Sequence, residues 1–210
     1  MPAESAYHDE LGDFFARNAD LSAYNAFTDR PAVLGLVGHV SGADILDVGC
    51  GAGHYAAELL ARGARVTGID GSATLLDHAR GRVHDRAVLR LHDLEQPLEL
   101  AADNAFDGIV CALVIHHVAN RRQLLSEMRR VLRPDGWLVM STSHPTADWR
   151  HFGGSYYDEP WVDMAFGSGS IHFQRMTLET FPRELTQAFT CDVSIRPLGS
   201  QLLPWVPLID

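Results

Sequence analysis

Ile45-Leu46-Asp47-Val48-Gly49-Cys50-Gly51-Ala52-Gly53-His54 decides the reading of this chain. Two apolar residues and an acid lead into three alternating glycines, and the amphipathic stretch Tyr55-Ala56-Ala57-Glu58-Leu59-Leu60-Ala61 follows. A strand that ends in a glycine turn and restarts as a helix is the ligand-binding unit of a doubly wound α/β sheet.

The spacing narrows the ligand. A dinucleotide turn reads G-x-G-x-x-G, which brings backbone amides to a pyrophosphate at a helix N-terminus. Here the glycines run G-x-G-x-G and His54 stands where the third dinucleotide glycine belongs. Asp47, just ahead of the turn, would repel phosphate and suits a ligand carrying an amino group and positive charge beside a nucleoside. S-adenosylmethionine is a ligand of that kind, and Gly49, Gly51 and Gly53 let the backbone approach it closely.

Outward from the turn, strands and helices alternate. Gly63 stops the first helix and Arg65-Val66-Thr67-Gly68-Ile69 makes a strand ending at Asp70. Ser72 caps a helix carrying Leu75, Leu76 and Ala79, and a third strand follows at 87–91. The segment 95–104 reads as loop, 106–112 as a fourth strand and 120–132 as a helix with Leu124, Leu125, Met128 and Val131 on its buried stripe. Arg133-Pro134-Asp135-Gly136 turns into a fifth strand, 137–141. Such alternation implies a mostly parallel, Rossmann-like sheet with helices on both faces. On the N-terminal side, 7–19 and a stretch opened by Arg30-Pro31 form a helical arm. Beyond Ser143 the rhythm breaks: 144–169 is rich in aromatic residues, His and Gly without a period, as in a lid or pocket wall. A strand is expected at 171–176, a helix at 178–189 and a strand at 191–196, before a tail broken by Pro204 and Pro207.

The chain of 210 residues is read as one domain: an arm (1–40), a cofactor-binding core (41–143), a substrate-pocket insertion (144–176) and a C-terminal helix, strand and tail (177–210). A net charge of −10 argues against a nucleic-acid surface and for a small-molecule partner. Cys50, Cys111 and Cys191 lack metal or disulfide spacing and read as reduced, buried thiols, which makes the cytoplasm the expected compartment. No signal sequence or membrane span is expected.

Taken in order, Ile45 to Gly53, Val66 to Ser72, His92-Asp93-Leu94, Phe106 to Val110, Leu113 to Val118 and Val131 to Val139 resemble the class I S-adenosylmethionine-dependent methyltransferases, in particular those acting on small molecules. The resemblance runs from about Tyr7 to Arg196. It implies that Asp47 serves the methionine end of the cofactor, that Asp70, with Gly71 and Ser72, meets the ribose, and that Asp93 and Leu94 read the adenine. Leu113 would offer backbone to the cofactor. Tyr7, Tyr24, Asn25 and Arg30 resemble the arm that folds over it, with ordinary helix packing as the other reading. A nucleobase amino-methyltransferase is disfavoured, because Cys111-Ala112-Leu113 replaces the Asn/Asp-Pro-Pro-aromatic motif of those enzymes.

Of eleven histidines, His8, His39, His78, His84 and His172 are scattered along arms and helices. His116, His117 and His144 follow the fourth and fifth strands, whose ends flank one cleft, and a neutral imidazole there can take a proton from an acceptor hydroxyl or amine. For His116 a packed residue that shapes the cofactor site is an equal alternative. No metal is expected. Arg121, Arg122, Arg129, Arg130 and Arg133 read as the solvated face and C-terminal dipole partners of one helix.

These residues point to methyl transfer onto a small, apolar or aromatic molecule, with Trp149 to Trp161 as its pocket wall. The alternatives are a non-methylating, cyclase-like enzyme and a non-catalytic binder of the same cofactor. The final antiparallel strand usual in the family is not evident. The exposed sheet edge is therefore expected to be covered by the tail, by 171–176 or by a second subunit in a homodimer.

Overall fold

The computed structural model describes residues 7–189. Five strands, β1 (Asp44–Val48), β2 (Arg65–Asp70), β3 (Ala87–Leu91), β4 (Phe106–Ala112) and β5 (Leu132–Ser141), form a parallel sheet in the order β3-β2-β1-β4-β5. The direction of winding reverses between β1 and β4. Beyond the carboxyl ends of the strands, this is where such sheets bind ligands.

Both faces of the sheet are covered, which is why its central strands are apolar without alternation. Successive residues of β1 point to opposite faces. Ile45 joins Val66 and Val110 under α2 (Arg30–Val37) and α3 (His54–Ala61), against Val33, Leu34, Val37, Ala56 and Leu59. Leu46 and Val48 join Ile109 and Cys111 against Leu124, Leu125 and Met128 of α5 (Arg121–Val131). Between β2 and β3, α4 (Ala73–Val83) is capped by Ser72, whose hydroxyl accepts from the Leu75 amide. Two helical pieces precede α2: α1 (Asp9–Asn18) and a π-turn (Asn25–Asp29) that runs directly into it.

Three expectations need correction. The turn residues 133–136 do not precede the fifth strand but lie within it, as an irregularity between the pairings Phe106↔Leu132 and Gly108↔Trp137. Arg133 pins that bulge to Asp44 and Asp107. The aperiodic insertion contains a helix, α6 (Pro145–Phe152), and a strand, β6 (Trp161–Phe166), which pairs antiparallel with β7 (Gly169–Gln174). Only Ile171 and Phe173 of that hairpin are buried, so its sequence carries little alternation. Because β7 pairs with β6, the 171–176 segment does not extend the main sheet.

The third correction concerns the arginines. Arg121 is buried and donates from Nε and Nη2 to Glu184 at 2.8 and 3.2 Å and from Nη1 to Gln174, tying α5 to β7 and to α7 (Thr180–Ala188). Arg130 binds Glu127, Asp103 and the carbonyls of Leu98 and Ala101. Arg122 and Arg129 are exposed. Cys50 and Cys111 are free, buried thiols. Cys191, the expected strand at 191–196 and the tail lie outside the described residues. Among the described residues no helix is long and apolar enough to cross a membrane, and no group of His, Cys, Asp or Glu could hold a metal ion.

Candidate active site

The glycine turn is built for tight packing. Gly49, Gly51 and Gly53 have φ of +68°, +52° and +78°, the left-handed region that favours glycine. A Cβ on Gly49 would lie 2.3 Å from Val114, so the chain leaving β4 sits directly on the turn. The amides of Gly49 and Cys50 both donate to the Ile69 carbonyl, that of Gly51 to Asp70 Oδ2 and that of Gly53 to the Cys50 carbonyl. These are the amides a phosphate nest would need, and they are already engaged.

Two carboxylates border the turn. Asp70, at the end of β2, takes the Gly51 and Ser72 amides at 2.8 Å each, one on each oxygen. Burial pushes its carboxyl up, and those amides oppose the shift. A carboxylate offers about four lone-pair positions, so beyond the Gly51, Ser72 and Gly71 amides Asp70 can still accept from a ligand hydroxyl. Asp47, at 1% exposure, has one oxygen, Oδ2, buried without a hydrogen-bond partner. Burial and then the charge of Asp70 push its carboxyl up to about 7. A buried, unpaired carboxylate oxygen is costly, and a cationic ligand group would satisfy it. Spent amides, an orphan acid and an acid with room for a ligand hydroxyl fit the amino-acid nucleoside better than a dinucleotide.

The arm closes over this site. The Tyr7 carbonyl accepts from the Ser72 hydroxyl, and the Tyr7 ring packs on Phe15 (4.8 Å), Phe166 (5.8 Å) and His117 (6.0 Å). Burial, then the charge of Asp70, raises its phenol, so it stays protonated. One ring contact thus joins arm, hairpin and the turn after β4.

That turn carries the histidines. Leu113 has φ +58°, a strained angle for leucine, held by donation of its amide to the carbonyl and hydroxyl of Ser141. His116 is buried, with Nδ1 3.0 Å from the Thr142 hydroxyl. His117 Nδ1 lies 2.9 Å from the His172 carbonyl. A carbonyl only accepts, so Nδ1 carries the proton and Nε2 keeps its lone pair. Burial lowers both imidazoles, His116 well below the ordinary range, so both are neutral at pH 7. Phe173 stands edge-on to both rings, at 5.6 and 6.3 Å.

The sequence-derived residues do not all converge. Asp47, Gly49, Gly51, Gly53, Asp70, Gly71, Ser72, Tyr7, Leu113, His116 and His117 share the carboxyl edge of β1, β2 and β4. Asp93 is half-buried and accepts from the Glu95 amide, with Leu94 beside it against the core. His144 is exposed and caps α6, its Nδ1 facing the Thr146 amide and hydroxyl. Tyr24 is 50% exposed on the arm, and Arg30 reaches Asp20 and the Ala19 carbonyl. Sequence reasoning missed the Asp29–Tyr55 pair beside Ser141 at the end of β5, and the buried Asp148 on α6, which holds the Ser143 hydroxyl. No local signal marks them, since only the tertiary fold assembles them.

Comparison with known proteins bears on the domain that carries this site. The family profile described as "Methyltransferase domain" matches residues 46–140. The chain is 34% identical over 109 residues to the ubiquinone biosynthesis O-methyltransferase of Rickettsia akari, covering 51% of this chain and 43% of that protein. It is 34% identical over 131 residues to the demethylmenaquinone methyltransferase of Tropheryma whipplei, covering 61% and 52%. It thus spans about half the length of the curated relatives it matches. An S-adenosylmethionine dependent methyltransferase structure from Mesorhizobium loti shares the fold, with a TM-score of 0.62 at 22% identity over 75% of this chain and 78% of that one. The matched segment runs from the β1 acid through the glycine turn to β5, so residues 46–140 of this chain form a methyltransferase domain.

Proposed function

We propose that this chain methylates a small, apolar or aromatic molecule, with S-adenosylmethionine as donor and His117 as the base. The orphan oxygen of Asp47, one strand from an amide-held Asp70, is the observation that carries the donor reading. Asp47 would neutralise the cationic amino-acid end, Asp70 would accept from the ribose diol, and Asp93 with Leu94 would meet the adenine. Tyr7 would close over the nucleoside and exclude water. Bound there, S-adenosylmethionine supplies a methyl group already activated on a sulfonium, so the protein's own task is mainly positioning.

Proton removal falls to His117. Its Nδ1–H is fixed on the His172 carbonyl, which leaves Nε2 free to take a proton from an acceptor hydroxyl or amine. Phe173, packed in turn on Phe152 at 5.8 Å, forms an aromatic wall beside that imidazole. The relatives named for ubiquinone and menaquinone methylation support a small cyclic acceptor. The test is transfer of a labelled methyl group from S-adenosylmethionine to a panel of phenols, catechols, amines and carboxylic acids. Turnover of at least one class supports the reading. Tight donor binding without turnover on any would favour the cyclase-like or non-catalytic alternative.

A further inference from the structure

We infer that Asp29 and Asp148, with Tyr24 and Tyr55, form an acceptor subsite for a cationic amine, so that the acceptor is an aromatic molecule bearing an ammonium group. The inference rests on the donor reading above and names the substrate class of the same site.

Asp29 ends the π-turn, its amide bonded to the Tyr24 carbonyl five residues back, and helical irregularities of this kind recur at functional sites. Its side chain is 2% exposed. Oδ2 accepts from the Tyr55 hydroxyl, whereas Oδ1 is buried with no hydrogen-bond partner, the Ser141 side chain lying beside the carboxylate. Arg30, the next residue, directs its guanidinium to Asp20 and the Ala19 carbonyl. A buried carboxylate with one oxygen bare is destabilising unless a cation or donor visits it.

Asp148 is the second acid. It is buried on α6, takes the Ser143 hydroxyl at 2.7 Å on Oδ2 and feels the charges of Arg175, His144 and His151, so Asp29 is the less compensated of the two acids. The fields of Asp29 and Asp148 meet at the Tyr24 phenol, which is half exposed and marks the mouth of the subsite. Asp148 also lies one helical turn before Phe152, on the same face of α6. Phe152 packs on Phe173, the wall beside His117. An acceptor with its ring on that wall would lie beside the α6 face that carries Asp148.

The probes are tyramine and 4-ethylphenol, which share a phenol and differ in the ammonium group. Calorimetric titration of the full chain, alone and with saturating S-adenosylhomocysteine, is expected to give tyramine at least about tenfold tighter binding. Asp29→Asn and Asp148→Asn, both nearly isosteric, are expected to remove that preference while leaving 4-ethylphenol affinity and the circular dichroism spectrum unchanged. Equal affinities, no tyramine binding, or variants that weaken both phenols alike would overturn the inference. So would an Asp29→Asn variant that loses S-adenosylhomocysteine affinity in step with tyramine, because the acids would then serve the donor. Failure of the wild type to bind S-adenosylhomocysteine would refute the donor reading alone, and the tyramine comparison without it would still decide this one.

Discussion

Asp47, next to last in β1, and Asp70, last in the adjacent parallel β2, both have buried carboxylates, yet Asp70 holds an amide on each oxygen while Asp47 keeps one oxygen bare. The asymmetry makes Asp47 the acid that gains from a cationic ligand and loses without one.

A stability consequence follows from that loss. A carboxyl raised in the fold to about 7 holds its proton where the unfolded chain would release it. Its contribution to stability therefore falls as pH rises from about 4 to about 7 and then levels off. Unliganded Asp47→Asn is expected to melt above the wild type at pH 8 and level with it near pH 4. The scale is on the order of 2–4 °C per kcal/mol for a chain of this size. The same variant should bind S-adenosylhomocysteine far more weakly; a lower Tm at pH 8 would count against the assignment.

For His117→Gln, loss of a general base predicts a fall in kcat of roughly 10²- to 10⁴-fold with S-adenosylhomocysteine affinity unchanged. Because burial lowers this imidazole, its base form persists below pH 6.5. At saturating donor the wild-type kcat–pH profile should stay flat there, and an acid limb in kcat bending at or above pH 6.5 would argue for another base.

Gly53 has φ +78°, and a Cβ there would lie 3.0 Å from the Ala79 Cβ and 3.1 Å from its Cα. Backbone cannot yield as a side-chain tip can. Gly53→Ala is expected to cost about 1–3 kcal/mol in urea unfolding, with the start of α3 and the middle of α4 forced apart.

The buried Arg121–Glu184 pair holds α5, α7 and the hairpin together. Removing only one partner, as in Glu184→Gln, should cost about 3–5 kcal/mol, because it leaves an uncompensated buried charge. The apolar double replacement Arg121→Met with Glu184→Leu should be much closer to wild type. Equal losses in both would mean that the pair contributes by itself.

His54 supplies an acid-side test. Burial, then the charges of Arg82 and Arg30, lowers its imidazole to about 4, against which Asp20 provides only partial support. Its contribution is complete above about pH 6.5 and is lost as pH falls towards 4. Since Asp47 acts in the opposite sense over much of that window, the difference between wild type and His54→Gln is the quantity to follow. It should shrink as pH falls from 6.5 to 4, and a constant difference would contradict the assignment.

Strand-end chemistry was legible because it is local. Asp47, Asp70 and Ser72 sit where a strand stops and a helix begins, and apolar runs with glycine and serine punctuation mark those points in any context. The hairpin was only half legible, since Ile171 and Phe173 are its only buried residues and leave little alternation to read. The helix α6 was not legible, because the aromatic, His and Gly residues of 144–169 show no helical period. His116 and His117 could not be told apart by sequence. What separates them is the His172 carbonyl, brought to His117 by the folding of a hairpin fifty-five residues away. Asp29 and Tyr55 come from different elements and meet only in the fold, and a π-turn has no sequence signature.

Calorimetric titration of the purified chain with S-adenosylmethionine, S-adenosylhomocysteine and NAD tests the central claim most directly. The expected result is saturable binding of the first two, lost in Asp47→Asn, with no heat from NAD. Binding of NAD without any adenosylmethionine signal would contradict it.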